Sequence, residues 1–85
     1  MADVVIYTKS YCPYSKETKD FLNSKGVEFA EKVIDQDTAL SSEMQNKSGG
    51  RTDTPQVFIN GSHIGSGDDM KALNETGKLD QMLNI

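Results

Sequence analysis

Cysteine is nearly missing from this chain: Cys12 is the only one among 85 residues. A single thiol forms no intramolecular disulfide, so a disulfide framework is excluded and residues 1–85 read as one domain on a small core. Long apolar runs are missing too. The N-terminus reads Met-Ala-Asp-Val-Val-Ile-Tyr-Thr, too short an apolar stretch for a signal peptide or a membrane span. An excess of basic residues is also absent, with 13 acidic against 9 basic side chains and a formal charge of -4. That balance disfavours nucleic acid and anionic membranes as partners, while leaving room for a local basic pocket that holds a small anion. No repeat or long linker breaks the chain, and no spacing of His, Cys and carboxylates suggests a metal site or a triad. A free thiol without an export signal is expected in a reducing, cytoplasmic setting, and a monomer is the default.

What is present reads as an α/β pattern. Val4-Val5-Ile6-Tyr7 is short, continuous and β-branched, as in a strand buried on both faces. Pro13 suits the first position of a helix, whose face is expected to hold Tyr14, Thr18, Phe21, Leu22 and Lys25, with Gly26 as the stop. Val27 to Ile34 mixes apolar and charged residues as a less buried strand. Asp35 to Asp37 offer helix-start chemistry, Leu40 and Met44 an apolar pair, and Gly49-Gly50 an end. Pro55 opens the strand Gln56-Val57-Phe58-Ile59, Asn60-Gly61 is a hairpin turn, and His63-Ile64 returns. Gly65-Ser66-Gly67 leads into a helix with Asp68 and Asp69 in its first turn, and Leu79, Met82 and Leu83 mark a last short one. The order is βαβαββαα. A four-stranded mixed sheet flanked by helices is its simplest solution, with the first strand central.

Cys12 falls where the first strand hands over to the first helix. Unpaired N–H groups and the helix dipole favour negative charge there, so the thiolate should be stabilised. Lys9, three residues earlier, is expected to add positive charge. A lone cysteine is ordinarily a buried hydrophobe; its helix-start position, the adjacent Pro13 and the nearby Lys9 argue for reactivity instead.

With these residues in view, the chain resembles the glutaredoxins of the thioredoxin-fold superfamily, most closely the small bacterial dithiol type. The likeness rests on Tyr7-Thr8-Lys9, on Cys12-Pro13-Tyr14, on Gly50-Arg51-Thr52 leading to Thr54-Pro55-Gln56-Val57-Phe58-Ile59, on Asn60-Gly61-x-His63-Ile64-Gly65, and on Gly67-Asp68-Asp69. It implies a thioredoxin-like fold and a glutathione-dependent thiol–disulfide oxidoreductase, with glutathione as co-substrate and glutathionylated proteins or small disulfides as partners. Carried over by position, Lys9 faces the glycyl carboxylate of glutathione, with Gln56 and Arg51 assisting. Thr54 offers its backbone to the peptide, beside a cis Pro55. Gly67 and Asp68 receive the γ-glutamyl carboxylate at a helix N-terminus, Asp68 or Asp69 holds the ammonium, and Tyr14 walls the sulfur.

Each of these residues also has a plainer reading. Lys9 and Arg51 suit solvated charges, and Gln56 an ordinary polar residue of a strand. Asp68 and Asp69 suit acids that complement a helix dipole. Pro55 read without the resemblance is trans. His63 reads as a strand surface residue, and the methionines mostly as core.

Two departures from the family pattern stand out. Asp53-Thr54 precedes Pro55 where these proteins more often have Thr-Val. Ser15 occupies the place of the resolving cysteine, so an intramolecular bond from Cys12 is closed and a monothiol mechanism follows. Ser15 has two explanations, a natural one-thiol member or an engineered replacement that traps the mixed disulfide; the second is slightly favoured by the likeness to the dithiol branch. The alternative function is a [2Fe–2S] cluster held between two chains with glutathione, for which Cys12 is a chemically natural ligand. Members of that type typically carry Cys-Gly-Phe-Ser, so Pro13-Tyr14 counts against it.

Overall fold

The computed structural model describes residues 2–85. Its elements are β1 (Val4–Thr8), α1 (Pro13–Ser24), β2 (Ala30–Val33), a single 3-10 turn (Ile34–Gln36), α2 (Thr38–Lys47), β3 (Gln56–Ile59), β4 (Ser62–Gly65), α3 (Gly67–Glu75) and α4 (Lys78–Leu83). The expected order is therefore present, with the 3-10 turn as an addition. The sheet runs β2-β1-β3-β4. Strand β1 is parallel to β2 and antiparallel to β3, and β3 pairs antiparallel with β4. The first strand is central, as its apolar run requires: an interior strand with helices on both faces has no solvent side for polar residues to alternate onto.

Alternation along β1 and β3 divides the core into two. Val4, Ile6, Val57 and Ile59 point to one face, where Leu22, Met70, Leu79 and Leu83 of α1, α3 and α4 cover them. Tyr7 and Phe58 point to the other, where they meet Ile34 and Met44. The β3–β4 hairpin turns at Asn60 (φ 52°) and Gly61 (φ 82°). Positive φ at both central positions matches the right-handed strand twist and explains the Asn-Gly pair.

Two expectations need correction. The buried stripe of α1 is Ser15, Thr18 and Leu22, and Tyr14 is 64% exposed. Small side chains occupy this stripe because α1 packs closely against the start of α3. There, a Cβ added to Gly67 would collide with the Thr18 hydroxyl. The second strand also begins later than expected, at Ala30. Val27, placed within it, packs into the core from the turn after α1.

Candidate active site

Three chain segments converge on Cys12. It is the N-cap residue of α1, with extended backbone (φ −88°, ψ 115°) and Pro13 beginning the helix. Its own N–H bonds back to the Lys9 carbonyl at 3.1 Å, which closes the turn out of β1. An N-cap side chain faces the free N–H groups of the first turn. Here that side chain carries sulfur, and the N–H groups concerned are those of Tyr14 and Ser15. From the other side, the Thr54 carbonyl accepts from the Cys12 thiol at 3.7 Å.

Burial opposes ionisation of Cys12, and hydrogen bonding opposes burial. The Thr54 and Ser15 side chains and the N–H groups of Ser15 and Tyr14 all favour the thiolate, and the net effect is a pKa below the ordinary cysteine value. The largest influences on the sulfur are burial and these hydrogen bonds rather than the Lys9 charge. The Lys9 charge also acts on Asp35, whose carboxyl is lowered chiefly by hydrogen bonds from Ser10. The thiolate is thus favoured chiefly by local dipoles.

Ser15 is 1% exposed, and its Oγ is the only buried side-chain oxygen or nitrogen among the described residues without a hydrogen-bond partner. An unpaired buried hydroxyl is costly. Placed at the third helical position beside Cys12, it is available to the sulfur when the sulfur becomes negative.

Alongside lies a groove of about 280 Å³, lined by residues that include Tyr14, Thr54, Pro55, Gly67 and Asp68. The Thr54–Pro55 bond is cis. These five residues of the expected set meet in one concavity, and Cys12 stands at its edge through its contact with Thr54. Asp68 is exposed in the first turn of α3 and forms no ion pair among the described residues. The Asp69 carboxylate, by contrast, is engaged. It accepts from the Ser66 N–H at 2.8 Å while Ser66 caps α3 in return, and these bonds hold its pKa below the usual aspartate value. Of the two acids, Asp68 is the one left free for a ligand.

Arg51 and Gln56 are also committed within the protein. Arg51 grips Asp53 through two bonds of 2.8 Å and approaches Asp69 at 4.0 Å. Gln56 is fully buried, with its amide on the Asp53 carbonyl at 3.0 Å and its oxygen 2.7 Å from His63 Nε2. Lys9 is half-buried and without an ion pair among the described residues.

Sequence reasoning missed Glu17, Thr18, Ser66 and Lys71, which line the same groove. Glu17 and Lys71 face each other there at 3.7 Å. Their spacing in sequence carries no signal, because α1 and α3 meet only in the folded chain. Ser66 is readable in principle, since Ser followed three residues later by an acid is a capping pattern.

Comparison with known proteins agrees with this geometry. Residues 4–64 match the glutaredoxin family model. The chain is 51% identical over 83 residues to glutaredoxin 3 of Escherichia coli K12, covering 98% of this chain and 99% of that one. Among solved structures it is similar to a Brucella melitensis glutaredoxin (46% identity, TM-score 0.84, 98% of this chain and 89% of that one). It is similar also to a buckwheat glutaredoxin in complex with glutathione (29% identity, TM-score 0.88, 98% and 77%). A thiolate-favouring N-cap cysteine on this sheet, with a groove at its edge, is the site of a thiol–disulfide oxidoreductase, and the chain belongs to the glutaredoxin family.

Proposed function

We propose that this glutaredoxin is glutathione-dependent and works by a monothiol route through Cys12. The observation that carries the proposal is the pairing of one thiolate-favouring sulfur with an adjacent groove that holds a free carboxylate, Asp68, at the start of α3. Glutathione has two carboxylates and one ammonium, so a site for it needs partners of both signs. Asp68 suits the ammonium and the N–H groups of the α3 first turn suit the neighbouring carboxylate. Lys9, free of an ion pair, suits the far carboxylate. Thr54 offers backbone groups to the peptide in the manner of an added strand, and Tyr14 flanks the sulfur. The solved structure of a buckwheat relative is a glutaredoxin–glutathione complex, which supports this reading.

In the first step the Cys12 thiolate attacks the glutathionyl sulfur of a mixed disulfide. The Cys12–glutathione bond forms, the old S–S bond breaks, and the substrate leaves as a thiolate that takes up a proton. A second glutathione thiolate then attacks the glutathione sulfur of that intermediate. Glutathione disulfide leaves, and Cys12 departs as the stabilised thiolate, for which a lowered pKa is an advantage. One glutathionylated substrate and one glutathione thus give one free thiol and one glutathione disulfide. Substrates are glutathionylated proteins and small disulfides, met by a monomer in a reducing cytoplasm.

The test is turnover of a small glutathionylated disulfide, with mass spectrometry after incubation with glutathione disulfide. A single adduct of one glutathione on Cys12 supports the route, and turnover that survives Cys12→Ala overturns it. Anaerobic incubation with iron, sulfide and glutathione is the companion measurement, where a coloured dimer would favour cluster binding instead. The source gene's codon for residue 15 distinguishes a natural serine from a replaced cysteine.

A further inference from the structure

We propose that His63 is a positioning residue for thiol–disulfide exchange, acting on Cys12 through the buried amide of Gln56. The chain of contacts begins at Cys12, whose sulfur meets Thr54. The residue before Thr54 is Asp53, and its backbone carbonyl can only accept. The end of the Gln56 side chain that reaches it, at 3.0 Å, is therefore the NH2 group. The other end of the amide must then be the carbonyl oxygen. That oxygen lies 2.7 Å from His63 Nε2, so Nε2 carries a hydrogen and donates.

This assignment orients the whole relay. Register places Tyr7 opposite Gln56 on β3 and His63 opposite Phe58, so all four side chains share the face of the sheet that α2 covers. Gln56 is 0% exposed, and water cannot replace a lost partner on its oxygen. Without a donor at residue 63 the buried oxygen is left unpaired, so the amide gains by shifting toward other N–H groups, and its hold on the Asp53 carbonyl weakens. Thr54, which supplies both the acceptor for the thiol and a hydroxyl that favours the thiolate, then moves relative to Cys12. His63 is an exposed residue of β4 and packs tilted against Phe58, with ring centroids 5.0 Å apart. That contact holds the imidazole edge toward Gln56.

His63 also lies close enough for its charge to act on Asp53, which offers a different way to influence the same segment. The experiment separates the two. In the full chain, His63→Leu removes the donor and the ionisable ring, whereas His63→Gln keeps an N–H donor of similar reach without an ionisable ring. The readout is the rate of Cys12 alkylation by iodoacetamide across pH, which needs no glutathione and so stands apart from the proposed co-substrate.

His63→Leu is expected to slow alkylation at neutral pH by roughly threefold, the loss that accompanies one weakened hydrogen bond, and to lower kcat for disulfide exchange with it. His63→Gln is expected to restore both. An unchanged alkylation profile in His63→Leu overturns the proposal. So does a profile that His63→Gln leaves as altered as Leu does, because charge rather than the relay would then be at work.

Discussion

The groove beside Cys12 and the groove over Tyr7 each enclose about 280 Å³, yet the hydroxyl at the heart of each is in a different condition. Over Tyr7, the phenol donates to Glu43, and Lys32 meets the same carboxylate at 2.8 Å. Burial and that hydrogen bond push the Tyr7 hydroxyl well above its ordinary pKa, while Lys32 and then Tyr7 hold Glu43 low. The Tyr7 hydroxyl and the Lys32 ammonium are thus both answered by Glu43, while Asp3 and Lys47 at the rim form no ion pair among the described residues. Beside Cys12, the Ser15 hydroxyl is unpartnered and Asp68 forms no ion pair among the described residues, while the N–H groups of Tyr14 and Ser15 act on the sulfur. Groups left unanswered by the fold are the ones available to a ligand or a reacting atom. Concavity alone does not separate the two places.

The sharpest way to break this comparison is to remove the reacting atom. Cys12→Ala is expected to abolish exchange down to the uncatalysed background while leaving thermal unfolding nearly unchanged. Gly67→Ala should come next. Its new methyl would meet the Thr18 hydroxyl, at a cost of about 1–3 kcal/mol for overpacking and a fall in Tm of roughly 4–8 °C per kcal/mol in a domain this small. Thr18→Ala in the same chain should recover much of the loss, which a double-mutant cycle measures.

On the closed side, Tyr7→Phe should cost about 1 kcal/mol, as one hydrogen bond does, and leave the alkylation profile of Cys12 where it was. A shifted profile would mean that the two grooves are coupled. Acid probes the caps. Hydrogen bonds from Ser66 keep the Asp69 pKa below its ordinary value of 3.8. Its contribution to stability is complete above that value and declines as pH falls through the lower folded one. Asp69→Asn should therefore flatten the acid limb of an unfolding curve below about pH 4 and leave its neutral-to-basic limb in shape. The smallest effect is expected for Ser15→Ala, with alkylation slowed roughly twofold at neutral pH through the loss of one modest hydrogen bond. Unchanged alkylation would show that the Ser15 hydroxyl does not reach the sulfur in its charged state.

Much of the molecule is legible in its amino-acid sequence. The two-sided apolar run of β1 demands a central strand, Asn60-Gly61 demands a tight turn, and Pro13 after Cys12 demands a helix start. Each is a local demand, met by residues adjacent in the chain. The buried face of α1 is not legible in the same way. Tyr14 has the bulk of a core residue, but the close approach of α1 to α3 favours Ser15 and Thr18, and no periodicity in α1 reports how near α3 comes. Arg51, Gln56 and Asp69 read as ligand groups only through the family resemblance. Their partners, Asp53, His63 and Ser66, occupy them in the fold.

The sequence by itself therefore determined the elements, their order and the residue that reacts, since backbone preference and thiol chemistry act over a few neighbouring residues. Only the tertiary structure decided which polar groups remain free. That choice depends on distances between segments far apart in the chain, and among the described residues it leaves the Ser15 hydroxyl without a hydrogen bond and Lys9 and Asp68 without an ion pair.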